Sequence, residues 1–317
     1  MSLGLIAAWL VRWIGFVALA GLVGAFIVDL FVLPARAPEA AVVRPRLRTL
    51  RLGCTTLLLI AAGGEMWLRC GTMSGGGPGA AIQAVPAVLT HTHFGSVWIA
   101  RLAGLLALLP LSAASSRRFL WLGGLAALGI ALTVSLTGHA GDWGDVSLTA
   151  GLDWVHVVAA TTWTGGLFVL AGVVLRDGAR WPAALLADMM RRFSALAAWC
   201  LLAVVLTGTY AAWVQLPAVA ALWQTVYGRV LAIKIVLVVS LVWWGALNRY
   251  AVLPRLGAGG RSSALRLAVY VTREAMLAIL VFGCTAVLGE STPARHARHL
   301  EHQPAAEAPA REGRLIR

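Results

Sequence analysis

The chain has 317 residues, of which 60% are hydrophobic and only 12% charged, with a mean hydropathy of +0.82 and a formal net charge of +13. A water-soluble domain of this length carries about twice that charged fraction, so a soluble enzyme is excluded and an integral membrane protein is implied. The excess positive charge is parcelled out by loop and not gathered into a patch, which argues against a nucleic-acid partner and for a lipid bilayer.

Eight apolar stretches of bilayer length are predicted, at 8–33, 50–68, 95–113, 119–138, 152–174, 194–216, 229–248 and 268–289. The first has neither a basic start nor a small-residue cleavage site and reads as a span, not a signal peptide. Arginines then collect in alternate connections: Arg36, Arg44, Arg46, Arg48 and Arg51 after the first span, Arg117 and Arg118 after the third. Arg176, Arg180, Arg191 and Arg192 follow the fifth, and Arg249, Arg255, Arg261 and Arg266 the seventh. By the positive-inside rule these loops face the cytoplasm and both termini lie outside.

The outer connection 69–94 opens on glycines and continues into a stretch able to form a short helix in the interface or dipping back. The tail from 291, rich in Ala, Pro and charge, is expected to be disordered; its His296, His299 and His302 have the spacing of a weak metal site on an otherwise incidental tail. No repeat of the kind that builds inverted-repeat transporters is evident. Cys54, Cys70, Cys200 and Cys284 form no paired motif and read as small buried hydrophobes, with Cys70 set apart by its place beside Met66 and Met73. Trp98, Trp121, Trp143, Trp154 and Trp223 suit interfacial belts, while Arg101 and Lys234, in the outer halves of spans, either snorkel or balance an acidic group.

This topology puts every histidine ahead of the tail on one face. His91 and His93 precede the third span, His139 ends the fourth, and His156 lies one turn into the fifth. Asp142, Asp145 and Asp153 separate the last two histidines, and Glu65 and Met66 occupy the outer end of the second span. Neutral imidazole is a general transition-metal ligand, sulfur prefers Cu(I), and carboxylates attract cations and orient ligating rings. Asp153 and His156 share a helix face, and ionisable groups inside a membrane cost about 2.5–3.5 kcal/mol on insertion scales. The candidate metal set is therefore His139, His156, His91, His93, Glu65, Met66 and Asp153. Each has a bland reading beside it: interfacial histidines, solvated aspartates, and a helix-end ion pair of Glu65 with Arg69. Paired histidines on adjacent spans also build b-type haem sites, although no second pair lies deeper.

Several segments resemble the CopD family of bacterial copper-resistance membrane proteins. They are GHA at 138–140, DWVHVVAATTWTGGL at 153–167, RRFSALA at 191–197, LTGTY at 206–210, TVYGRVLAIKIVLVV at 225–239, ALNRYAVLP at 246–254 and REAMLAILVFGCTAVLGESTP at 273–293. The resemblance covers about half the chain, roughly 137–293, with FGSVWIARL at 94–102 a less specific addition. It implies an all-α integral membrane protein of the bacterial inner membrane, a bundle of about eight transmembrane helices with both termini periplasmic. A polytopic domain would span 1–290 and a disordered periplasmic tail 291–317. It further implies a non-enzymatic function: copper binding at the periplasmic face and movement toward the cytoplasm, served by a separate CopC-type copper carrier. His139 and His156 match the family's histidines by motif. A haem-binding electron-transfer protein and a non-transporting copper donor are the alternatives.

Overall fold

The computed structural model describes residues 2–176, 181–216, 218–255 and 260–291, the side chains of 260–263 excepted. The tail histidines His296, His299 and His302 lie outside the described residues. The described chain is helical throughout: α1 (Leu3–Ile27), α2 (Pro38–Ser74), α3 (Pro78–His91), α4 (His93–Ala113), α5 (Arg117–Leu136), α6 (Leu148–Val169), α7 (Ala183–Gln215), α8 (Ala221–Gln224), α9 (Val226–Leu247) and α10 (Gly260–Glu290). Single π-helical turns, Val28–Val32, Leu170–Val174 and Asn248–Val252, extend α1, α6 and α9 at the end that carries the arginines.

Among the described residues seven helices are long and apolar enough to cross a membrane: α1, α4, α5, α6, α7, α9 and α10. The eighth expected stretch, 50–68, lies inside α2 and is not one of them. Its 37-residue helix begins with an arginine-studded segment and carries Arg51, Glu65 and Arg69 within or beside the apolar part. Those charges dilute the run because the bundle, not lipid, receives them. Arg51, counted above as a loop arginine, is 1% exposed. Its guanidinium holds Asp29 of the π turn after α1 at 2.9 Å and donates to the carbonyls of Ser112 and Ala114 at 3.3 and 3.2 Å. The pair thus ties α1, α2 and the end of α4 together near the arginine face.

Helices in lipid gain little from hydrophobicity against one another, so close approach through small residues decides their packing. α1 runs through the centre, buried from Ala18 to Phe26, and packs on α2, α5, α6 and α10. Where it crosses α6, a Cβ on Gly165 would overlap the Ala20 carbonyl, and one on Gly24 would overlap the Gly165 backbone. Tryptophans expected at the interface also work inside the bundle, since a buried indole N–H needs an acceptor. Trp98 donates to Ala62 at 2.9 Å and Trp154 to Leu128 at 3.0 Å.

The order of elements in the second half of the chain repeats that of the first, a pattern not evident in the sequence. Two helices, a short helix and two more helices occur twice. Trp13 donates to the Ile279 carbonyl at 3.0 Å just as Trp154 donates to Leu128. Trp13 and Trp154 are separated along the chain by the same interval as Gly24 and Gly165. Thr92 caps α4 by accepting from Gly95, and Thr225 caps α9 by accepting from Gly228, both at 2.9 Å. A Cβ on either glycine would run into the preceding short helix. From these threonines the register carries Arg101 onto Lys234.

Gly165→Val is expected to destabilise the bundle by at least the upper end of the roughly 1–3 kcal/mol typical of overpacking, because backbone and not a side chain stands in the way. Thermal unfolding in detergent checks this, with Gly151→Ala, where nothing lies within 4 Å, as the silent control.

Candidate functional site

A cavity of about 600 Å³ lies in the half of the bundle that carries the histidines. α1, α2, α4, α5, α6, α7, α9 and α10 all contribute to its wall. α7 packs on α6 and α9 on α10, so the cavity extends between α7 and α9, which barely touch. Its wall is largely apolar, with His139, His156, Asp153, Lys234 and the pairs Glu65–Arg101 and Arg12–Glu290 placed on or beside it.

His156 is held by a threonine that cannot donate to it. The Thr207 hydroxyl gives its single proton to the Ala203 carbonyl at 2.6 Å, so it accepts from His156 Nδ1 at 3.0 Å. This fixes the Nδ1–H tautomer and leaves the Nε2 lone pair free, the condition a metal ligand must meet. Gly208, in the LTGTY segment, makes room for the ring: a Cβ there would sit 3.2 Å from His156 Cε1. His139 stands where the chain leaves α5, its Nε2 3.4 Å from the Leu288 carbonyl. That oxygen only accepts, so the contact favours a free Nδ1. Asp153 lies within electrostatic reach of His139 and Lys234, and Lys234 within reach of His156 and Cys284. Neither Asp153 nor Lys234 makes an ion pair among the described residues.

The remaining candidates divide. Glu65 reaches the cavity, but its partner is Arg101 at 2.5 Å and not Arg69, whose guanidinium lies 4.9 Å from the Phe94 ring centre. Arg101 also donates to Thr133 and Thr137, closing α2, α4 and α5 into one polar knot. His93 pairs with Asp145 at 2.7 Å, both half exposed, and His91 is exposed; neither lines the cavity. Met66 is buried with Cys70 against α3 and α4, the sulfurs 3.6 Å apart. His139, His156, Asp153 and Glu65 therefore line one cavity, whereas His91, His93 and Met66 lie elsewhere. Among the described residues no three His, Cys, Asp or Glu side chains stand close enough to enclose one metal ion. Lys234 was read from the sequence only as a snorkelling or balancing charge; its register with Arg101 was the signal that pointed further.

A second cavity, about 230 Å³, lies toward the arginine face between α6, α7, α9 and α10. Glu274, 3% exposed, lines it and accepts from Asn248 Nδ2 at 3.2 Å, while Asn248 Oδ1 is buried without a partner. Met190 is also on this wall. Cys54 and Cys200, read above as small buried hydrophobes, line neither cavity. Trp163, 6% exposed, belongs to the walls of both cavities and stands between them.

Residues 187–288 match the family described as copper resistance protein D, and residues 3–148 match the copper resistance protein D-like N-terminal domain. The chain belongs to the CopD family. The copper transport protein CutJ of Bacillus subtilis (strain 168) is 27% identical over 212 residues, which are 64% of this chain and 39% of that protein. The chain thus matches about two fifths of that relative's length. No solved structure matches. His139 lies within the CopD-like N-terminal match, whereas His156 and the glycines of α6 fall between the two matched stretches.

Nitrogen-15 NMR of histidine-labelled protein should show His156 as the Nδ1–H tautomer, and Thr207→Val should abolish that preference. A His156 spectrum identical in the two proteins counts against the threonine clamp.

Proposed function

We propose that this CopD protein binds copper in the outer cavity and moves it across the bacterial inner membrane toward the cytoplasm. The observation that carries the reading is the 600 Å³ cavity whose wall includes both motif histidines and Asp153. Family membership supplies copper as the cargo; the geometry supports an entry site with the free Nε2 of His156 and the free Nδ1 of His139. Two imidazoles suit Cu(I), which accepts few ligands, and Asp153 draws the cation in. From there the route passes Trp163 to the inner cavity, where Met190 offers sulfur and Glu274 an oxygen. A CopC-type carrier delivering copper at the histidine face completes the reading.

α2 is assigned as the eighth crossing. Its length, about 55 Å at 1.5 Å per residue, spans the apolar core of a bilayer with its arginine-rich start projecting beyond. An even number of crossings then leaves both termini in the periplasm and all arginine-rich loops in the cytoplasm. In a cysteine-free background, Ala35→Cys and Ser116→Cys should react with a membrane-impermeant thiol reagent only after permeabilisation. Gly76→Cys and Val146→Cys should react in intact spheroplasts. Opposite labelling of Ala35→Cys and Ser116→Cys would remove α2 from the membrane.

Detergent-purified protein should carry copper that is lost with His139→Ala plus His156→Ala, without a haem absorption band. In proteoliposomes the same double variant should lose copper uptake. Equal copper in both proteins, or a haem band, overturns the assignment; copper binding without uptake favours a copper donor over a transporter.

A further inference from the structure

The duplicated halves meet around the outer cavity, and they furnish it differently. Arg12 of α1 corresponds to Asp153 of α6 by the interval that relates Gly24 to Gly165, and Gly15 corresponds to His156 by the same interval. Glu290 corresponds to His139 by the interval between Leu128 and Ile279, the two carbonyls that accept from the matched tryptophans. Arg101 corresponds to Lys234. Gly15 faces Ala61 across α1 and α2, as His156 faces Gly208 across α6 and α7, so four residues further on Glu65 corresponds to Ala212.

In one set the charges are closed. Arg12 holds Glu290 at 2.9 Å, and Arg101 is spent on Glu65, Thr133 and Thr137. In the other set the matching positions are not latched: Asp153 and His139 form no ion pair among the described residues, and the position that matches Glu65, the partner of Arg101, is an alanine. Both Ala212 and Lys234 line the cavity. With an alanine in place of that carboxylate, Lys234 shares the cavity wall with Asp153 and His156 and lies within electrostatic reach of both.

We propose that Lys234 is a tethered counter-cation of the copper site, balancing Asp153 in the empty cavity and competing with incoming copper for it. This rests on the copper reading above and adds an affinity-setting residue to it. A histidine–carboxylate site in a low-dielectric cavity without such a charge would bind copper tightly and release it slowly, whereas conduction needs binding weak enough to leave. Lys234 lowers the affinity by like-charge repulsion and by returning to Asp153 as copper departs.

Two variants move the charge in different ways and share one expected sign. Lys234→Met removes the cation and keeps the bulk. Ala212→Glu gives Lys234 the partner that Arg101 has. Each should tighten copper binding by at least on the order of tenfold, the effect of one unit charge at such range, measured by competition with a chromogenic Cu(I) chelator in detergent. Copper uptake into proteoliposomes should slow in both. Copper bound by the native protein with affinity unchanged or weakened in Lys234→Met overturns this inference and leaves the site standing. Absence of copper from the native protein overturns both. If Lys234→Met does not fold, Ala212→Glu decides by the same criterion.

Discussion

The crossing of α1 and α6 at Gly24 and Gly165 is the contact on which the rest of the bundle depends. The two backbones approach so closely that neither position has room for a methyl group. In lipid, where apolar side chains gain little by meeting each other, such an approach supplies the dispersion contacts that hold helices together. Its consequences run along α6. Gly166 receives the Phe193 ring of α7, and Trp163, two residues before the crossing, is fixed between the outer and inner cavities. Further toward the histidine face the same helix carries Asp153 and His156 to the cavity wall. One glycine contact thus sets the depth of the barrier and the position of the polar groups.

Most charges inside this bundle fall into two states. Asp29 with Arg51, and Glu65 with Arg101, are joined to each other and to backbone or hydroxyl groups, so no uncompensated charge is left in an apolar setting. These knots each join helices that are far apart in the chain, which gives them a registering role beside α1. Asp153 and Lys234 are in the other state, balanced at a distance across a cavity. Unlike Glu274, which is held by the Asn248 amide, these two stand on the wall of a cavity with space for something else.

The membrane class, the helix positions and the sidedness of the histidines were legible in the sequence because apolar run length and arginine placement are local properties. Seven expected spans recur, most with ends shifted by a few residues, although α7 begins eleven residues before the expected 194, and the short helix expected in 69–94 recurs as α3. Partners were not legible. Arg51 looked like a loop arginine because its run of neighbours is basic, yet the carboxylate it serves lies 22 positions earlier. Glu65 had Arg69 one turn away in sequence, but the two point apart and Arg101 takes the carboxylate. Among the metal candidates, His139, His156 and Asp153 of the motif segments reach the cavity, as does Glu65 from outside them, whereas His91, His93 and Met66 do not.

The duplication explains why a bundle so plain in composition can hold one chemically active wall. Two matched halves supply the same scaffold twice: crossing glycine, tryptophan bond to the neighbouring carbonyl, threonine cap with its glycine. Stability requires the charges of only one copy to be latched. With α2 and α4 fastened through Arg101 and Glu65, the corresponding helices α7 and α9 are free to stand apart and leave the cavity between them. The second half carries Ala212 where the first has Glu65, His156 where it has Gly15 and Asp153 where it has Arg12, so the latching contacts of the first half have no equivalent there among the described residues. The polar asymmetry of the cavity thus arises from differences between matched positions of the two halves and not from a difference in their scaffold.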